Sequence, residues 1–373
     1  MFNWAKQQLA NVAGTAEPEY GPSAIQSVAA QDTPFTELKK EDMKWFVMDS
    51  TCVETQTFYF TADSGHVGLA QVIYSNVAGI RVTCQFNTKI FYPDRNTPNL
   101  WSSDPLSDYG FDEEKYNFHA QGCSITLSED GKSYHIKSST NTRSVVDLTF
   151  STLSPGFVVG KDGTSSFGTD PKAPWGKMRH SFWPRCKVEG SIITQQGPID
   201  LQGRGMFIHA LQGMKPHHAA ARWTFGNFQS PTYSAIMMEY TTPPSYGNTV
   251  VNVGGIAVDG KILYAGPTNT VKHTASHEDP ECGWPAPDAM AFKWSSADGA
   301  VEAELSGEMG ERWDRVDIMA EVPKFVKQIV AGAAGTKPYI YQYGPKLETF
   351  RIKVDGEEKS EAGQLFTEAT FIS

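Results

Sequence analysis

Between Pro174 and Phe228 the chain concentrates guanidinium, imidazole and indole groups: Arg179, His180, Trp183 and Arg185 in one run, Phe207, His209, Gln212, Met214, His217 and His218 in a second, then Arg222, Trp223 and Phe225. Groups of this kind can line a pocket that is apolar in its walls and polar at a few fixed points. They serve equally as packing between two domains. Arginine in apolar surroundings is costly unless paired, so at least one of Arg179, Arg185 and Arg222 is expected to meet an acidic side chain, a carbonyl or a ligand head group. If the block is catalytic, its chemistry is orientation and polarisation of a hydrophobic substrate by Arg179, His180, Trp183, Arg185, His209 and Arg222, without a covalent intermediate.

Other chemistries find little support. His217 and His218 are adjacent, no His-x-x-x-His pair occurs, and no acidic partner sits at ligand spacing, so no metal and no cofactor are expected. No nucleophile elbow surrounds any Ser or Cys, and Cys186 beside Arg185 is activated only if exposed. His66, His119, His135, His273 and His277 read as ordinary surface or core residues. Asp314 and Asp317, alternating with arginine, read as a solvated strand face with cross-strand ion pairs rather than an acid/base pair. Met237, Met238 and Tyr240 suit either an adaptable apolar pocket or simple core.

The elements that must position these residues are strands. Alternating runs bounded by turn residues begin at Val53–Phe60 and Val67–Tyr74, joined by Ala62-Asp63-Ser64-Gly65. They recur at 80–86, 116–119, 124–127, 133–137 and 144–150, and again at 234–240, 249–257 and 261–265. The 33 Gly and 22 Pro spread along 373 residues fit many tight turns. Evenly spaced strands predict an all-β chain with an antiparallel barrel or sandwich in each half. The expected division is 1–38 as a short amphipathic helix and extended tether, 39–213 as one barrel and 214–373 as the second. A few short helices accompany them, one over Val322–Val330 with Val322, Phe325, Val326 and Ile329 on one face.

A net charge of −10 and a pI near 5.4 argue against nucleic acid as a partner. Five widely spaced cysteines, without a Cys-x-x-Cys pair, suit a reduced compartment. At the N-terminus, Phe2, Ala5, Leu9, Val12 and Ala13 share one helical face, stopped by Gly14, and Trp4 lies off it. Such a helix can lie in a membrane interface, with Met1, Phe2, Trp4, Leu9 and Val12 as the contacting residues, or dock on the protein's own surface.

Met1-Phe2-Asn3-Trp4, Ala16–Gly21, Asp49–Thr57, Met178-Arg179-His180, Trp183-Pro184-Arg185, Ala210–Trp223 and Met237–Pro243 closely resemble the fungal survival factor family, and the likeness runs to Phe371. That resemblance implies two tandem lipocalin-like, calycin-type antiparallel barrels. It implies a non-enzymatic lipid-binding protein that carries ceramide-like lipid between endoplasmic reticulum and Golgi, acts in sphingolipid metabolism and supports survival of oxidative stress. Such a protein is cytoplasmic, sits peripherally on those membranes through its N-terminal helix, and is expected as a monomer or weak dimer. The ligand-contacting residues expected are Trp183, Phe207, Gln212, Met214, His217, Trp223, Phe225, Met237, Met238 and Tyr240. Similar tandem-barrel proteins include hydratases and proteins that steer terpenoid cyclisation or hetero-Diels-Alder reactions, which keeps the enzymatic alternative open with Arg179, His180, Arg185, His209 and Arg222 as its catalytic set.

Overall fold

The computed structural model describes residues 18–77, 79, 81–321 and 338–373. The expected helices at Met1–Gly14 and Val322–Val330 lie outside the described residues. Within them the chain is almost wholly strand, arranged as two curled antiparallel sheets of sixteen and eleven strands. The strand grammar is borne out, with Cys52–Ala62 and Val67–Val77 forming the first long hairpin.

Both sheets share one topology. In the first, the last strand, Gly203–Gln212, lies between the opening long strand Cys52–Ala62 and the long strand Gly176–Thr194. In the second, Glu357–Phe371 lies in the same way beside the opening strand Arg222–Gln229 and the strand Lys346–Val354. Closing the last strand onto the first curls each sheet and gives it an inside and an outside. Alternation then sorts the side chains. Phe58, Tyr134, Trp183 and Phe207 fill the first interior, and Met237, Phe292, Trp294 and Phe350 fill the second. A third core lies between the sheets, built from Tyr59, Met178, Phe182 and Ile208 of the first and Phe225, Ile236, Tyr240 and Phe366 of the second.

The central block is therefore two strands rather than a separate insert. Successive residues of Gly176–Thr194 face the first interior and the seam by turns, until a bulge between Trp183 and Cys186 resets the register. Gly205, opposite Cys186, is needed because a β-carbon there would stand 2.3 Å from the Tyr59 carbonyl oxygen.

The segment before Leu38 is a strap that is partly woven into the first sheet. Ile25–Gln26 pairs with Thr164–Phe167, and Phe35–Glu37 pairs with Phe157–Val159. Its other end reaches the second half, where the Tyr20 and Gly21 amides both donate to the Ser245 carbonyl at 2.8 and 2.9 Å. Past the strap, residues 44–48 fold against one end of the first barrel. Val47 holds a left-handed φ of 50°, costly for a β-branched residue. The Glu54 carboxylate pins that turn by accepting from the Phe46 and Val47 amides at 2.7 and 2.9 Å.

Candidate functional site

A cavity of about 300 Å³ opens at one end of the second barrel. Cross-strand register places its lining. Arg222 stands opposite Thr241 on one side and Phe371 on the other, and Thr224 stands opposite Glu239. Glu239 in turn faces Asn252, and Thr241 faces Val250. Val271 and His273 from Thr270–Glu278, with Pro285, close the far wall. Trp284 stacks on Phe371 with centroids 5.4 Å apart. Deeper in, the barrel is filled, since Gly226 lies directly under the Phe292 ring and Met237 and Met290 are fully buried.

The rim of this cup is a hydrogen-bonding ring. Asn252 donates to Glu239 at 3.0 Å, and Asn269 donates to Asn252 at 3.0 Å. Thr224 and the His273 Nε2 are 3.3 Å apart, and the Arg222 Nε reaches the Thr241 hydroxyl at 3.4 Å. Burial pushes the Glu239 carboxyl above its ordinary range. Burial, then the Arg222 charge, pushes His273 down to about 4, so this imidazole is neutral at neutral pH and offers one donor and one acceptor. Polar groups of both kinds around an aromatic wall suit the hydroxyl and amide end of an amphiphile.

The residues singled out from sequence are dispersed over both barrels and the seam between them. Arg222 and Trp223 line the cup. Arg179 and His209 lie at the strapped-over end of the first barrel. There the Arg179 Nε donates to the Asp162 carbonyl at 2.9 Å, and its guanidinium sits 5.3 Å over the Phe46 ring. His209 has the acidic partner that spacing had denied it, because Glu54 reaches its Nε2 at 2.7 Å from 155 residues away. His180 and His209 face opposite sides of the sheet, since His180 pairs with Ala210 and Ser181 with His209. Among the described residues no three His, Cys, Asp or Glu gather as a metal set.

Arg185 crosses the seam. Its Nε pairs with Asp259, its Nη1 donates to the Ser230 carbonyl and the Ser234 hydroxyl at 3.2 and 3.1 Å, and its Nη2 donates to the Pro231 carbonyl at 2.6 Å. Its neighbour Cys186 is fully buried, which pushes the thiol far above its ordinary range and removes it as a nucleophile. Trp183 and Phe207 pack at a tilt with centroids 5.4 Å apart in the first interior, and Met237 belongs to the second. Phe225, Tyr240, Met214 and Met238 pack in the seam, Gln212 ends its strand half-buried, and His217 lies on the short helix Pro216–Ala219.

Sequence reading missed four rim and wall groups: Glu239, His273, Val250 and Phe371. Asp314, 35% exposed, forms an ion pair as expected of its strand face, but with Lys89 of the first sheet, whose side chain is 1% exposed. Nearby, burial raises Glu368, which accepts from Gln342 at 2.6 Å.

Comparison with known proteins adds kinship to this geometry. The chain is 59% identical over 380 residues to the ceramide-binding protein svf-1 of Neurospora crassa and 57% identical over 396 residues to the ceramide-binding protein svf1 of Aspergillus fumigatus, each alignment covering all of both chains. In three dimensions it is similar to kievitone hydratase from Nectria haematococca, with a TM-score of 0.55, 14% identity, and 95% of this chain and 98% of that one covered. At that identity the likeness extends to the tandem lipocalin-like fold alone. The Svf1 family model matches residues 2–373, and the chain belongs to the Svf1 family.

Proposed function

We propose that this chain is a ceramide-binding protein that takes the polar end of the lipid into the cup of its second barrel. The observation that carries the reading is the cup itself: a hydrogen-bonding rim of Arg222, Thr224, Glu239 and His273 beside the Phe371 wall. The ceramide-binding names of relatives at 59% and 57% identity support the lipid class. About 300 Å³ accommodates the head group and the start of a chain, which leaves the rest of the lipid outside this cavity. A rim that both donates and accepts matches the amide and hydroxyls of ceramide better than a phosphate, which would be repelled by Glu239 when ionised and would ask for a second cation beside Arg222.

The wider role follows as part of the same proposal. The protein acts as a carrier between endoplasmic reticulum and Golgi membranes, held peripherally through Met1, Phe2, Trp4, Leu9 and Val12, and its effect on oxidative-stress survival stems from sphingolipid supply. The enzymatic alternative is weakened by the placement of its residues. Arg179 and Arg185 direct their donors to protein carbonyls, and His209 is bound to Glu54, so of the expected catalytic set only Arg222 faces the cup.

The test is lipid mass spectrometry on protein purified from cells, set against the Arg222→Ala, Glu239→Ala double variant. Ceramide is expected at near-stoichiometric yield with the native chain and at strongly reduced yield with the variant. Equal recovery from both would place the ligand elsewhere, and no sphingolipid with either would overturn the reading.

A further inference from the structure

Three large apolar side chains stand out as exposed among the described residues: Trp175 at 45%, Ile193 at 49% and Val250 at 53%. Two of them are linked through one loop. The Trp175 indole N–H donates to the Tyr246 hydroxyl at 3.1 Å, and its ring lies 4.7 Å from that of Tyr20. Tyr20 is held to the same loop through the Ser245 carbonyl. The loop is tied shut by the Thr242 and Thr249 hydroxyls, both donating to the Tyr246 carbonyl, and its next residue is Val250 on the rim of the cup. Val250 is four Cα–Cα steps along the chain from Tyr246, so the aromatic corner lies within about 14 Å of the rim.

We propose that this corner, with Trp175 and Val250 as its apolar contacts, is a second membrane-docking surface that seats the mouth of the cup on a lipid bilayer. The inference rests on the lipid-binding reading and adds the orientation in which lipid is exchanged. A bilayer is favoured as the occupant on three grounds. An indole whose polar edge is satisfied and which is 45% exposed has the chemistry of an interfacial anchor. The 17 residues that precede Pro18, with their apolar stripe, join the body at this corner, so the two contacts act on one membrane as linked sites. Charge points to no acidic partner, because exposed Lys172 is outweighed by exposed Asp170 and Glu19.

Depth-dependent quenching tests this directly. A fluorophore is placed at Trp175→Cys in a Cys282→Ser background, the other four cysteines being buried, and the full chain is mixed with phosphatidylcholine vesicles carrying nitroxide lipids. Strong quenching is expected at position 175. A label at Ile193→Cys, near the far end of the strand Gly176–Thr194, should remain bright. Trp175→Ser should lower vesicle co-flotation roughly fivefold to tenfold, because serine has no apolar ring to bury in the bilayer, and Trp175→Tyr should restore most of it. Unchanged brightness at 175 on vesicle-bound protein, or equal quenching at 193, would overturn the proposal. So would shielding of the label before vesicles are added that disappears when residues 1–17 are deleted, because the chain's own terminus would then be the occupant. Quenching at 175 without ceramide uptake would uphold the docking surface and sink the lipid reading, whereas ceramide uptake without quenching would do the reverse.

Discussion

Replacing Arg185 by methionine should separate the two barrels energetically far more than removing its acidic partner does. Arg185 is 1% exposed, yet Asp259 is 70% exposed, so the ion pair itself is screened by water and contributes no more than about 1 kcal/mol. The remaining donors go to the Ser230 and Pro231 carbonyls and the Ser234 hydroxyl, all in the second half of the chain. Deleting the guanidinium takes that donor from the buried Ser230 carbonyl and Ser234 hydroxyl, while Arg204 still donates to the exposed Pro231 carbonyl at 3.1 Å. Breaking a buried charged hub of this kind costs about 3–5 kcal/mol. Arg185→Met is therefore expected at the lower end of that range, since Gln229 still donates to the Pro184 carbonyl and Gly260 to the Leu153 carbonyl across the same seam. Asp259→Asn should cost less than about 1 kcal/mol. Urea unfolding followed by circular dichroism and tryptophan fluorescence reads both, and in Arg185→Met the two signals should begin to part as the barrels lose cooperativity. Equal losses for the two variants would refute this account, because they would mean that the exposed ion pair, not the carbonyl clamp, holds the seam.

Three more expectations can be checked alongside. In the cup, Arg222→Ala and Glu239→Ala should each weaken ceramide retention by about tenfold, as expected when a hydrogen bond involving a charged group is lost, and Ile193→Ser should leave it unchanged in the same vesicle-competition assay. His180 is held down at about 4 by burial, then by the Arg179 charge, while the unfolded chain titrates near 6.5. The unfolded state therefore binds the proton first, stability is complete above 6.5 and is lost as pH falls from 6.5 towards 4, by about 3 kcal/mol at saturation; His180→Gln should flatten that limb in thermal melts taken across pH. Glu368 has the opposite sign, because burial raises its carboxyl, so its contribution is full below the ordinary carboxylate value and declines as pH rises. Glu368→Gln should thus gain stability relative to the native chain at pH 8 compared with pH 5, and no gain would place a charged Glu368 in the seam.

The strands were legible because they are local: Ser133–Ser138, Ser144–Thr152 and Lys261–Gly266 carry their alternation and their turns within a few residues. The prominence of the central block was legible too, but not its division of labour. Strand parity sends His180 to the seam and His209 to the interior, and no spacing rule reveals which face is which until the partner strand is known. The cup was illegible for a related reason. Glu239 and His273 lie on different strands and meet only through the curl of a sheet that also brings in Phe371. Lys89 and Asp314, 225 residues apart, each look like a surface charge when read alone. Long-range register, not composition, decides all of these.

The strap has a mechanical consequence. It leaves Pro18, ties to Ser245 through two amides, and only afterwards runs into the first sheet at Ile25–Gln26 and Phe35–Glu37. Tension applied at the N-terminus therefore loads the Thr242–Thr249 loop before any strand of the first barrel. Because that loop ends at Val250, the load path passes the lip of the cup. The first barrel acts as the abutment, anchored by sixteen strands, and the lip of the second is the compliant part. If the N-terminus is held on a membrane as proposed, a tug there is delivered at the lip of the cup.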